Sequence, residues 1–484
     1  MNKMAKNYIY NVAYQFFVII VPLITAPYLA RVLHAENIGI YSYVTSWASM
    51  INTIGLLGLY NYGNRQVAYV REDQNKLNDV FSELLSLRSI LCIISTVIYA
   101  IVACSSEFKV YFLLYYPWLL TGFFDISWFY TGIEDMGPMV LKNFAIKMLN
   151  VIGIFLLVKS ENDLGKYLGL VAVVTLCANV SMYWKIKDRV TRWYFSLKNS
   201  WSHIRGAVLL FLPQLASMFY LQVDKIMLQY ITQDEKQLAF YDQAEKIVNI
   251  PFTLITALSV VMMPRIANEF QKGHLATIKS YVIKAAHFSM LISIPMFVGL
   301  NAIGDNFIPW YLGDEYLPVI KILSIVSFII LSNSLVNISG TQYFTAVDKS
   351  NVLTLSNVIA AIANIVINSF LIPLWGCYGA AVATVLSSTA SVFIQFYFLN
   401  RDISIKYIFK GAWKYVLSAI IMYWGVKICS SVSLHGPLMT FMQIAVGCIV
   451  YLGILGLLRE QTLVEIIHYA MSKVFRKKGS IIDA

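Results

Sequence analysis

The chain predicts an all-α, polytopic membrane fold with 14 transmembrane helices, and three observations carry that prediction. Hydrophobic residues fill 58 % of the 484 positions and charged residues only 13 %, about half the charge of a soluble domain. The apolar residues run unbroken rather than alternating, which selects helices over a barrel once every backbone polar group must pair inside hydrocarbon. The runs are long enough for the roughly 20 residues that a helix needs to cross a core of about 30 Å.

The runs lie at 9–31, 38–60, 82–104, 111–132, 141–159, 164–186, 205–232, 240–264, 283–304, 317–345, 351–373, 377–398, 413–431 and 437–458. Span one is too long for a signal peptide and lacks a small-residue cleavage site, so it is read as a retained helix. It carries Pro22 and Pro27. Span seven carries Pro213, span eight Pro251 and Pro264, and span nine Pro295. Each removes a backbone bond and bends its helix; in spans one and seven the bends are either plain kinks or hinges. Cys92, Cys104, Cys177, Cys377, Cys429 and Cys448 lie in or at the ends of spans with no CxxC pair, and they read as small packing residues.

A net charge of +11 raises nucleic-acid binding as a reading, but its distribution excludes it. Of 37 Lys and Arg, 26 fall in the two tails and in every second connection, from Lys3 to Lys478. By the rule that basic loops stay in the cytoplasm, both tails are cytoplasmic. An even number of spans independently requires both tails on one side.

The chain is duplicated. At an offset of 200, Tyr41 meets Tyr241 and Arg65 meets Arg265; at an offset of 214, Phe129-Tyr130-Thr131 meets Tyr343-Phe344-Thr345. In that second register Asn143 meets Asn357, Asn150 meets Asn364, Gly165 meets Gly379 and Thr175 meets Thr389. Six spans per repeat put both copies in the same orientation. The expected organisation is an N-terminal lobe at 1–200, a C-terminal lobe at 201–402, and at 403–484 an appended helix pair with a basic cytoplasmic tail. The four Asn either hydrogen-bond neighbouring helices or touch substrate.

Charges deep in spans cost about 2.5–3.5 kcal/mol each on insertion scales, so they mark candidates. Arg31 sits at a span end, where snorkelling explains it, as it does Lys109, Lys159 and Lys427. Arg88 on span three and Lys147 on span five lie deeper and either face a cleft or snorkel. Asp125 on span four is too short to snorkel. It either pairs with Arg88 or Lys147 or is protonated, and both states suit an ion-coupling acid. Asp224-Lys225 on span seven and Glu245-Lys246 on span eight stand at matching depths. They are expected to pair as Asp224 with Lys246 and Lys225 with Glu245, as a structural clamp or a gating set.

Three blocks make the chain recognisable: Pro22 to Leu33, continuing through Gly39-Ile40-Tyr41 to Arg65; Asp125-Ile-Ser-Trp128 to Glu134; and Val223-Asp224-Lys225 with Tyr241, Ala244-Glu245-Lys246 and Pro264-Arg265. Together they resemble the polysaccharide flippases of bacterial O-antigen and capsule clusters, in the multidrug/oligosaccharidyl-lipid/polysaccharide exporter superfamily. The likeness covers spans one to twelve and weakens over the last pair. It implies a multi-pass protein of the bacterial cytoplasmic (inner) membrane that moves undecaprenyl-diphosphate-linked glycan units from the inner to the outer leaflet. For some members it also implies coupling to an H+ or Na+ gradient. The implied partners are that lipid-linked glycan, membrane lipids and the polysaccharide polymerase complex. His34 departs from the pattern, since Gly is common there; only a changed turn is expected.

Independently, a diphosphate sugar head needs a wet, cationic cleft. The residues assigned to it are Arg31, Arg88, Lys147, Lys225 and Lys246, with Asp125, Asp224 and Glu245 as coupling or gating acids. No Walker A, G-x-G-x-x-G, HExxH or G-x-S-x-G motif occurs, so no enzyme, metal or cofactor is expected. Three alternatives remain: a multidrug or cation antiporter of the same fold, a polytopic polymerase or ligase, and a lipid II flippase. The deep basic charges weigh against the first and the short extracytoplasmic loops against the second. The blocks on spans four and seven fit the third less well.

Overall fold

The structure, a computed structural model, describes residues 3–430, 434 and 436–468. Side chains are described from residue 20 onward, except at 197, 212–214, 216, 217, 219–221, 254, 257, 258, 260 and 261. The expected tail basics beyond His468, the side chains of Lys3 and Lys6, and that of Pro213 lie outside the described residues.

The chain forms two compact units, Met1–Asp242 and Gln243–Ala484. The first holds α1 (Lys3–Gly55), α2 (Leu59–Val70), α3 (Gln74–Ser105), α4 (Lys109–Phe124), α5 (Ser127–Gly132), α6 (Gly137–Leu157), α7 (Leu164–Ser181), α8 (Leu197–Ser200) and α9 (Ile204–Thr232). Helix α10 (Glu235–Gln271) carries the chain into the second unit. There follow α11 (Leu275–Tyr311), α12 (Pro318–Val326), α13 (Ile329–Val336), α14 (Ser350–Trp375), α15 (Cys377–Asp402), α16 (Ile405–Ile408), α17 (Ala412–Cys429) and α18 (Pro437–Leu457). Among the described residues there is no strand. Each expected span falls mainly on helical backbone, and among the described residues eight helical stretches are long and apolar enough to cross a membrane on length and composition alone.

Local chemistry sets the helix ends. Pro138, Pro318 and Pro437 stand in the first turns of their helices, where a missing N–H costs nothing. Asp73 caps α3 by accepting from the N–H groups of Asn75 and Lys76. In the connection before α7, the Lys166 ammonium 2.6 Å away and the Lys159 N–H hold the Asp163 carboxyl well below the usual range. Spans one and two run as the single assignment α1, broken at His34 (φ 62°, ψ 171°).

In the first unit, the block after Asp125 is core. Trp128, Phe129 and Tyr130 are almost fully buried with Phe81, Leu84 and Leu87 of α3. Phe81 stacks on Trp128 at 5.8 Å and meets the edge of Phe129 at 5.1 Å. Helix α9, the first of the second repeat by sequence, packs on α1 and α2 within the first unit. Gly39 lets α1 approach the chain after α9, since a Cβ there would stand 1.9 Å from the Glu235 carbonyl oxygen. In the second unit, α17 and α18 pack on α11 through Met290, Tyr415, Met422 and Tyr451.

The duplication is visible in the backbone. Glu134 (φ 57°) and Asp348 (φ 60°) are 214 residues apart and take the same left-handed conformation. Each is followed by the same wide-turn bond, from Asp135 N to the Tyr130 carbonyl (2.9 Å) and from Lys349 N to the Phe344 carbonyl (2.8 Å).

Candidate functional site

Span four is not one helix. α4 stops at Phe124, Asp125 is extended (φ −76°, ψ 102°), and α5 restarts at Ser127. The cause is local: Asp125 Oδ1 accepts the Ser127 N–H at 3.0 Å and also the Ser127 hydroxyl. A short acidic side chain thereby takes a donor away from the helix. Broken helices at membrane depth survive only where protein or water satisfies them, and transporters build sites at such breaks.

Three basic or polar side chains close on the break. Lys142 Nζ of α6 lies 3.2 Å from Asp125 Oδ1, and donates to Ser127 Oγ at 2.7 Å and Asn179 Oδ1 at 3.0 Å. Arg88 of α3 donates from Nε to the Gly122 carbonyl, with Nη2 4.0 Å from Asp125 Oδ2. The side chains of Arg88 and Lys142 are only 4 % and 8 % exposed, against 28 % for Asp125. The cluster therefore holds two cations and one carboxylate, a surplus of positive charge suited to an anion.

The second repeat supplies an internal control. At the offset of 214, Ser339 stands for Asp125 and Ser356 for Lys142. Gln395 bridges them, accepting from Ser339 at 2.6 Å and donating to Ser356 at 2.8 Å. The backbone there is a π-helix, Asn337–Phe344, rather than a break. The same hairpin and span thus assemble with a neutral set, so the charges of the first repeat are not required by the fold.

Sequence reasoning brought Arg88 and Asp125 together correctly in space, but took Lys147 as the other possible basic partner. Lys147, half-buried on α6, has no hydrogen-bond or ion-pair partner among the described residues. The partner is Lys142, which stands at the very start of span five and was counted with the basic residues of the connection before it. Pro138 in the first turn of α6 was the available signal, since it starts the helix four residues before Lys142. Ser127 and Asn179 also went unnoticed.

Other candidates lie elsewhere. Arg31 is exposed three residues before the His34 break. Lys225 pairs with Asp242 at 2.7 Å, and Tyr241 donates to Asp224 at 2.9 Å, two contacts the expected Asp224–Lys246 and Lys225–Glu245 scheme did not include. Glu245 and Lys246 stand on α10 in the second unit, and each engages a partner. Asn364 accepts from Asn368 of its own helix at 3.2 Å, and the Asn150 oxygen is buried with no hydrogen-bond partner among the described residues.

A bundle of apolar helices with a buried, net-cationic cluster at a broken span defines a multi-pass membrane transporter. The family model for polysaccharide biosynthesis proteins matches residues 4–270, and that for lipid II flippase MurJ matches residues 138–451. The chain belongs to the polysaccharide biosynthesis protein family, among the flippases of the multidrug/oligosaccharidyl-lipid/polysaccharide superfamily. It is 23 % identical over 77 % of its length, and 93 % of the relative's, to a putative O-antigen transporter of Shigella dysenteriae. A lipid II flippase MurJ structure in an inward closed conformation shares the fold with a TM-score of 0.77 at 16 % identity, over 93 % of this chain and 98 % of that one. An inward-facing multidrug resistance transporter of the same superfamily reaches 0.61 at 12 % identity, over 80 % of this chain and 98 % of that one. The lipid II flippase model begins at residue 138, after the span-four block, and covers the block that runs from Val223 to Arg265, so that second block does not separate the two flippase kinds.

Proposed function

We propose that the chain is a flippase for lipid-linked oligosaccharides, carrying an isoprenoid-diphosphate glycan unit from the cytoplasmic to the outer leaflet. The observation that carries this reading is the buried Arg88–Asp125–Lys142 cluster at the break in span four, in a chain of this family. A phosphorylated head cannot cross hydrocarbon unaided, whereas its isoprenoid can stay in lipid. Buried cations beside a phosphate pay off because hydrogen bonds to charged groups are roughly twice as strong as neutral ones.

The finer features follow the same logic. Undecaprenyl diphosphate is the carrier, and the bacterial inner membrane the location, with both termini cytoplasmic as the Lys and Arg asymmetry supports. The chain acts as a transporter without catalysis or cofactor, and nucleic acid is not a partner. A polysaccharide polymerase complex receives its product. Asp125 is the acid through which an H+ or Na+ gradient couples. Arg31, Lys147, Lys225 and Lys246, with Asp224 and Glu245, are the further charges along the route.

Deletion of the gene with complementation tests the reading. Complete lipid-linked units should build up on the cytoplasmic side, with surface polysaccharide lost. Lys142→Gln, at normal membrane level, should lower export by about tenfold, the loss of one charged hydrogen bond, and Lys142→Arg should restore part of it. Normal surface glycan in the deletion strain would reject the proposal.

A further inference from the structure

A second feature meets the cluster from outside. Helices α6 and α7 do not close on each other over their cytoplasmic halves; they leave a lateral groove of about 620 Å³. Its walls are Leu141 and Leu149 of α6 and Val173 of α7, all exposed, and its floor is made by Ala145, Ala178 and Met182. From Lys142 to Leu149, and from Val173 to Ser181, helical rise gives the groove a length of about 10–12 Å. Lys142 and Lys185 both line it, and both belong to its cytoplasmic end.

We propose that this groove seats the isoprenoid diphosphate in the inner leaflet before transport, with the chain along the apolar walls and the diphosphate against Lys142 and Lys185. The inference rests on the flippase reading and gives that site its lipid. Charge decides the occupant. A groove between two lipid-facing helices is filled by an acyl chain by default, but that default asks for no buried lysine at its mouth, and Lys142 is 8 % exposed.

The second repeat again shows what the fold alone requires. At the offset of 214, Lys142 and Lys185 become Ser356 and Leu399, while Ala145 and Ala178 become Ile359 and Val392. Leu399 is fully buried. The homologous hairpin is therefore larger at the floor and neutral at the mouth, and it still folds. Space and positive charge were both kept in the first repeat only.

The geometry also links occupancy to the break in span four. Lys142 lines the groove and holds Asp125 at 3.2 Å at the same time. A diphosphate arriving at Lys142 competes with Asp125 for the ammonium, and Asp125 retains Arg88 as its other cation. Loading from the lipid side is thereby felt at the broken helix.

The test uses the full-length protein in detergent, with lipid retention read by native mass spectrometry. The probes are undecaprenyl diphosphate, undecaprenol and phosphatidylglycerol. The wild-type protein is expected to retain undecaprenyl diphosphate over both others. Val173→Trp, which fills the groove from its exposed wall, should reduce that retention about tenfold, whereas Leu113→Trp on the exposed face of α4 should leave it unchanged. Lys185→Gln should weaken the diphosphate and leave undecaprenol as it was. Equal retention by Val173→Trp and the wild type, or equal retention of phosphatidylglycerol, overturns the proposal. Full complementation by Val173→Trp beside failure of Lys142→Gln would sink the groove while the flippase reading stands; normal glycan in the deletion strain would sink the reading itself.

Discussion

His34 occupies a backbone region (φ 62°, ψ 171°) that is essentially reserved for glycine. The resemblance implied a glycine at this position, and the sequence suggested only a changed turn. The structure holds His34 in that strained conformation. Such a conformation costs a side chain of order 1–3 kcal/mol, while glycine gives back roughly 0.5–1 kcal/mol through its freer unfolded chain. The balance favours glycine, so His34→Gly should stabilise the purified protein by about 1 kcal/mol in thermal unfolding. His34→Ala is the control, since it removes the imidazole and its contacts but keeps the Cβ and the strain. Equal effects of the two substitutions would show that the ring, and not the backbone, sets the energy.

Spans four and ten, 214 residues apart, are the same element solved in two ways. One is broken around a carboxylate held by Arg88 and Lys142; the other stays helical through a π-turn around Ser339, Gln395 and Ser356. Removing the single anion of a buried charged set leaves its cations facing each other, which costs about 3–5 kcal/mol, whereas replacing the set with neutral groups is often tolerated. Asp125→Ser should therefore lower the unfolding free energy by about 3 kcal/mol, and adding Lys142→Ser should recover part of the loss. Neither protein should transport. A double variant no more stable than Asp125→Ser would show that the two charges are not a matched pair. Half of this site was legible beforehand. Asp125 stood out because a short acid at that depth must find a partner, and Arg88 because of its own depth. Lys142 did not, because it stands at the very start of span five, where a lysine reads as part of the basic connection before it, and hydropathy cannot register a break made by side-chain hydrogen bonds.

At the scale of the whole molecule, hydropathy was enough to find which stretches are helical, though not where they break, because hydrocarbon forces every apolar run to satisfy its own backbone. The packing partner of span seven was not legible. By sequence it opens the second repeat, and in the structure α9 belongs to the unit that ends at Asp242. Repeat boundaries record ancestry, while packing follows close contacts such as Gly39 against the Glu235 backbone. Orientation rests on charge alone, and it has a direct test. In a background with all six cysteines replaced by Ala, single cysteines at Glu161, Lys236 and Asp314 should react with a membrane-impermeant maleimide in intact cells. Those at Glu72, Lys272 and Lys410 should react only after permeabilisation. All six positions are exposed outside the spans, so burial does not confound the result. The placement matters for the mechanism, because the Lys142–Lys185 end of the groove faces the leaflet where lipid-linked units are made only if Glu72 and Lys272 are cytoplasmic. Labelling of those two residues in intact cells would invert the protein and put the cationic mouth at the wrong surface for loading.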